Sequence, residues 1–157
     1  MTPPKFLADE MNGDIARWLR IIGFDCLYFT GDNLDNKLLE IAENESRVLL
    51  TSDRELYQRA IRRYIRAIYT SGENTETKLR KIFNILDLNT YVDSLKYRCP
   101  VCNTVLVQRE SRDLDLPAHV KNNHKMVYVC ENCGKIYWKG SHWTKIRDTF
   151  RKLGVDI

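Results

Sequence analysis

The segment Lys5–Phe29, KFLADEMNGDIARWLRIIGFDCLYF, changes pattern twice. Lys5–Ala8 is a short apolar run ending at Asp9, as a buried strand does. Gly13–Ile22 then sets Ile15, Trp18, Leu19 and Ile22 on one helical face, and Gly23 stops the helix. Asp25–Phe29 is apolar and rich in strand-forming residues again. Strand, helix and strand joined by such short links form a crossover unit whose two strands run parallel.

The alternation continues downstream. A second helix is predicted over Asp35–Glu45, with Leu38, Leu39, Ile41 and Ala42 inward, and a third strand over Arg47–Leu50. A third helix starts near Asp53, a fourth strand covers Ile65–Tyr69, and a fourth helix covers Glu76–Leu86 on Leu79, Ile82, Phe83 and Leu86. This succession predicts an α/β fold, a mainly parallel sheet flanked by helices on both faces.

From about Tyr91 the texture changes. Val92–Tyr97, Val105–Val107, Val127–Val129 and Ile136–Trp138 read as short antiparallel strands, Glu110–Lys125 as a polar loop, and Trp143–Leu153 as a helix closing at Gly154. Within this region lie two C-x-x-C pairs, Cys99/Cys102 in CPVCN and Cys130/Cys133 in CENCG. Each such turn brings two sulfurs together, and hairpins bring the turns together, so four thiolates can surround one Zn²⁺. Pro100, Asn103 and Gly134 supply the backbone conformations of the knuckles. A closed four-cysteine site has no open position, so this zinc is structural. Cys26 reads as a core thiol, and His119 and His124 as bystanders to the zinc site. Main domain 1–90, zinc ribbon 91–142 and C-terminal helix 143–157 are the expected divisions.

The 157 residues are 43% hydrophobic and 29% charged, with seven Gly and four Pro, which excludes collagen-like and disordered classes. No run nears the ~18–20 apolar residues of a membrane span. Met1–Lys5 lacks the apolar stretch of a signal peptide, so a cytoplasmic protein without a membrane partner is expected. Charge is unevenly spread: residues 1–95 carry 13 basic and 15 acidic side chains, residues 96–157 carry 12 and 6. The basic tail points toward a polyanion.

In parallel α/β sheets ligands bind beyond the carboxyl ends of the strands. Asp9 ends the first strand, Asp53 follows the third, and Asp35 opens the helix after the second. Three convergent carboxylates suit Mg²⁺ or Mn²⁺, which activates water and shields a phosphodiester. Each also has an ordinary reading. Asp35 fits a helix N-cap, and Asp9 a turn carboxylate. Ser52-Asp53-Arg54-Glu55 matches the S-x-x-E capping box with Ser52 as cap, which would free the Asp53 side chain. Glu10, Asp14, Asp32 and Glu40 read as surface charge.

Arg17 and Arg20, three apart on the first helix, lie opposite the Ile15/Leu19/Ile22 stripe and are expected to project outward together, where guanidinium forks would suit phosphate. Arg59, Arg62, Arg63 and Arg66 form a second basic series. Lys135, Tyr137, Trp138, Lys139, His142 and Trp143 interleave cations and rings, as single-strand binders do. The competing reading makes Trp138 and Trp143 glue between ribbon and body.

FLADEMNGDIARWLRIIGFD (Phe6–Asp25), DNKLLEIA (Asp35–Ala42), RVLLTSDREL (Arg47–Leu56), RCPVCN (Arg98–Asn103) and CENCGKIYWKGSHW (Cys130–Trp143), in that order, resemble the RNase domain family named after the C-terminal part of the mut-seven exonuclease. The resemblance implies a PIN-like fold carrying a zinc ribbon, and metal-dependent RNA cleavage with catalytic and Mg/Mn-binding acids at Asp9, Asp35 and Asp53. Arg17 and Arg20 would lie beside them. Asp14 and Ser52 stand where the family tends to have cations.

The expected function is therefore a Mg²⁺- or Mn²⁺-dependent endoribonuclease acting on single-stranded or unpaired RNA, with Arg17, Arg20, Lys139, His142 and Trp143 as RNA contacts. Ribosome or ribosomal RNA association is a related expectation. The rival is a non-catalytic RNA-binding or ribosome-associated zinc-ribbon protein. An aspartyl-phosphate phosphohydrolase fits less well, because Asp9, at the end of the first strand, is followed by Glu10-Met11 and so does not begin a D-x-D.

Overall fold

The computed structural model describes residues 1–72 and 74–157. The strands β1 (Phe6–Ala8), β2 (Cys26–Tyr28), β3 (Val48–Thr51) and β4 (Ala67–Tyr69) form one parallel sheet in the order β2-β1-β3-β4. Phe6 stands between Cys26 and Val48, and Leu50 beside Ile68. Between them run α1 (Gly13–Ile22), α2 (Asp35–Asn44) and α3 (Arg54–Arg62), and α4 (Thr75–Leu86) follows β4.

Alternation along the strands sends side chains to two cores. Phe6, Ala8, Cys26, Val48, Leu50 and Ile68 face the layer of α1 and α4, while Leu7 and Leu49 face Leu38, Leu39, Leu56 and Ala60 of α2 and α3. Both sheet faces are covered, which is why the strands read as unbroken apolar runs.

The second sheet is antiparallel, β5 (Val107–Glu110), β6 (Met126–Val129) and β7 (Ile136–Tyr137) in that order. The closing helix α6 (Ser141–Lys152) returns to the main core through Ile146 and Phe150, and Phe150 stacks edge-on against Trp18 of α1 with ring centroids 5.5 Å apart.

Three expectations are corrected. Val92–Tyr97 is not a strand: Val92–Ser94 is a 3₁₀ turn, and Val92 and Leu95 both rest against the main core instead of alternating across a sheet. The predicted Val105–Val107 strand shifts to Val107–Glu110, leaving Val105 in a single bridge with Arg98. Glu110–Lys125 is not a plain loop, since it holds the last residue of β5, a 3₁₀ turn at Ser111–Asp113 and α5 (Ala118–Asn123), which buries Val120.

Gly23 ends α1 at φ +113°, a conformation side chains resist, and a Cβ there would lie 2.6 Å from the Lys96 carbonyl oxygen. The chain that leads into the ribbon thus passes directly over the end of α1. No helix among the described residues is long and apolar enough to cross a membrane.

Candidate functional site

The two cysteine turns are built alike. In each, the residue after the second cysteine has positive φ, Asn103 at 71° and Gly134 at 76°. The Asn103 N–H donates to the Cys99 carbonyl at 2.9 Å and the Gly134 N–H to the Cys130 carbonyl at 2.8 Å. The Cys99 and Cys130 N–H groups donate to the carbonyls of Thr104 and Lys135.

All four sulfurs lie within 4.8 Å of one another. Cys99 and Cys133 are 3.6 Å apart and Cys102 and Cys130 3.4 Å. A disulfide would hold two sulfurs at ~2.05 Å. Tetrahedral ligation at ~2.3 Å spaces them ~3.8 Å apart. The donor set therefore fits zinc.

Two of the thiols are shifted, in opposite directions. A hydrogen bond with the Thr104 hydroxyl draws Cys102 down to about 6. At Cys133 a backbone hydrogen bond from Lys135 pulls downward, but desolvation and the neighbouring thiols push the group up to about 11. Four thiolates in one place need a cation between them. Cys26 takes no part: it is fully buried in β2, beside β1, and desolvation pushes it up to about 12.

The seam between this centre and the parallel sheet is polar and buried. Arg20 was expected to point outward, yet it is only 6% exposed. Its Nε donates to the Cys26 carbonyl at 2.8 Å, and one terminal nitrogen donates to the carbonyls of Pro100 and Val101 at 3.0 and 3.4 Å. The first knuckle covers that face of α1, and these carbonyls replace water around the guanidinium. Asn103 accepts from the Cys26 N–H at 3.0 Å and donates to Asp25 at 2.8 Å, while Arg47 grips the same Asp25 carboxylate at 2.8 Å. Burial would raise Asp25, but the Arg47 and Asn103 hydrogen bonds outweigh it and hold the carboxyl below its usual value.

At the carboxyl ends of the strands lies a second buried polar network. Asp9 is 5% exposed and accepts from the Asn12 amide at 2.7 Å, the Thr51 hydroxyl at 2.7 Å and the Ser52 N–H at 2.8 Å. Three donors hold the carboxylate in one orientation. Asn12, itself fully buried, also donates to Ser52 and accepts from Thr70 at 3.1 Å and from Lys78 of α4 at 3.3 Å.

The capping roles of the other two acids are exchanged relative to expectation. Asp53, not Ser52, caps α3, accepting from the Leu56 N–H at 3.1 Å, because Ser52 is drawn inward by Asn12 and Thr70. Asp35 is the first helical residue of α2, caps nothing, and faces Arg59 at 3.7 Å.

Asp9 and Asp53 are linked through Thr51, whose hydroxyl donates to Asp9 and accepts from the Asp53 N–H at 3.0 Å. Asp35 stands in its ion pair with Arg59 on the neighbouring turn. Among the described residues, the four cysteines are the only group of three or more candidate ligands within 4.8 Å. Sequence reasoning missed Asn12, Thr70 and Lys78; the available signal was a polar residue closing each apolar strand, Thr51 and Thr70.

The remaining expected contacts meet elsewhere. Arg17, Lys139, His142 and Trp143 line one groove of about 390 Å³ between α1, the ribbon and the start of α6. Of the second basic series, Arg59 and Arg63 are paired with Asp35 and Glu43.

The model of one family, the Mut7-C RNAse domain, matches residues 4–150. No curated protein and no solved structure matches significantly.

Proposed function

The chain belongs to the Mut7-C RNAse domain family, which supports a ribonuclease-type function with RNA as substrate, and on that premise we propose that it is a Mg²⁺- or Mn²⁺-dependent endoribonuclease acting on unpaired RNA. The observation that carries this reading is the Asp9 carboxylate, buried at the carboxyl end of a parallel strand and held by three donors. Asp53 shares Thr51 with it, and Asp35 opens the adjacent helix.

The candidate ligands at that end, the carboxylates of Asp9, Asp53 and Asp35, are oxygen donors, which suits a hard divalent cation. Bare carboxylates repel, so acids that hold Mg²⁺ partly through its waters need not touch one another without it. Such an ion supplies an activated water and shields the phosphodiester charge. The protein's part is to fix Asp9 in orientation, to keep Asp53 beside it through Thr51, and to bring a cation, Lys78, to the same end. Arg17 and the ribbon's basic, aromatic face would hold the RNA strand.

The test is cleavage of a labelled single-stranded RNA by zinc-loaded protein with Mn²⁺. Asp53→Asn keeps a capping oxygen and removes the charge. It is expected to lower the rate by more than the roughly 10–100-fold that outer-shell partners cost. Equal cleavage by parent and variant would overturn the proposal. The Asp35–Arg59 pair and the Asp53 cap favour the second reading, an RNA-binding protein that does not cut. RNA binding with no Mn²⁺-dependent product would select it.

A further inference from the structure

We infer that the groove between α1, the ribbon and α6 is a nucleobase pocket, seating one unpaired base of the RNA with its flanking phosphates on Arg17 and Lys139. This rests on RNA being the substrate and adds where, and by which part of the nucleotide, the strand is gripped.

The wall is aromatic. Tyr97 lies edge-on to Tyr128 and to Trp143, with centroids 5.2 and 5.1 Å apart. All three rings are partly buried, and Trp143 also packs against the main core. Lys139 lies over Tyr97 and Trp143, its Nζ 5.1 Å from the Tyr97 centroid and 4.9 Å from that of Trp143, and 3.2 Å from the Tyr97 hydroxyl. A flexible, solvated ammonium is a displaceable occupant of a stacking surface. A flat base can take its place, and the ammonium then moves toward the phosphate.

The charge around the groove matches a nucleotide. Arg17, Arg98, Lys139 and His142 line it together with aromatic and aliphatic side chains, and no carboxylate does among the described residues. Arg98 is spent on the carbonyls of Gly23 and Asn103. Arg17 is exposed and has no ion-pair partner among the described residues. Gly140 keeps the entrance open to the Trp138 ring, since a Cβ there would lie 3.2 Å from the indole. A base inside a duplex is stacked on both faces and cannot reach these rings, so the pocket selects unpaired RNA.

Position ties the pocket to the acids. Arg17 sits about 6 Å along α1 from Gly13, which directly follows the Asp9–Asn12 turn. A strand leaving the groove past Arg17 runs along α1 toward the Asp9 end.

The probe is a short fluorescent oligoribonucleotide titrated onto zinc-loaded Asp53→Asn protein, beside matched oligonucleotides carrying one abasic position at each place in turn. The expected result is that one abasic placement weakens binding about 5- to 150-fold, the range of one lost stack. Binding is also expected to quench emission from Trp138 and Trp143. Arg17→Ala and Lys139→Ala should each weaken all the oligonucleotides alike and lower the salt slope by about one unit. Trp143→Ala should abolish the abasic penalty; if that variant fails to fold, the comparison in the Asp53→Asn protein still decides. Equal affinity for every abasic placement, or no quenching, would overturn the pocket even if the parent still cuts RNA with Mn²⁺. Parent protein that cuts no RNA, with the abasic penalty present, would overturn the nuclease reading alone.

Discussion

The cysteine centre and the carboxylate end of the sheet make an instructive pair, because both gather potential ligands from distant parts of the sequence and only one has gathered them fully. Each cysteine turn is made locally by five consecutive residues, the last at positive φ, so only one long-range event, the meeting of two hairpins, completes the tetrahedron. The acids come from three separate strand–helix turns. There each is subject to local demands: Asp9 holds its turn, Asp53 caps α3, and Asp35 pairs with Arg59. Neutral thiols can crowd before metal arrives, whereas carboxylates repel.

The sharpest way to break the comparison is to remove zinc. Structural zinc sites contribute on the order of 10 kcal/mol of apparent binding free energy. Because Arg20 and Asn103 join the first knuckle to Cys26, chelation is expected to lower the melting temperature of the whole chain, not of the ribbon alone. Calorimetry showing an unchanged main transition would separate the two regions.

Arg20→Met tests the seam with zinc kept. It leaves buried carbonyls of Cys26 and Pro100 without their donor, and a loss of about 3 kcal/mol is expected in urea unfolding. A loss under half that would return Arg20 to the exposed role read from its spacing.

Asp25→Asn should cost about 2 kcal/mol at neutral pH, the worth of a hydrogen bond to a charged group. Because the folded-state pKa of Asp25 is depressed, its contribution is present above the ordinary carboxylate range and is lost as pH falls through the folded value. Parent and variant should therefore converge in stability as pH falls below about 4. Acid release of zinc affects both chains, so the difference between their melting temperatures is the quantity to follow.

The smallest effect belongs to the acid end. Asp53→Ala should cost about 1 kcal/mol through the lost cap, and Asp53→Asn a few tenths. Equal stability of the two variants would show that the cap contributes nothing.

The strand–helix alternation was legible because burying both sheet faces forces apolar runs and stripes of fixed period. The boundaries of α1 match the expected span, and β1 and β2 fall within theirs. Val92–Tyr97 was misread because the apolar residues Val92 and Leu95 do not by themselves reveal which surface covers them. The cysteine site was legible because spacing alone brings each pair together. Spacing said which face of α1 Arg20 occupies but not what lies over it, and the answer is a knuckle some 80 residues later in the chain.

The sequence by itself determined the α/β body and the paired cysteine turns, because periodicity and short-range spacing are local properties of a chain. Tertiary structure alone decided that Arg20 is buried, that Ser52 yields the cap to Asp53, and that Asn12, Thr70 and Lys78 surround Asp9. Each of those outcomes depends on which partner reaches a polar group first once water is excluded, and that competition is settled only when distant segments pack together.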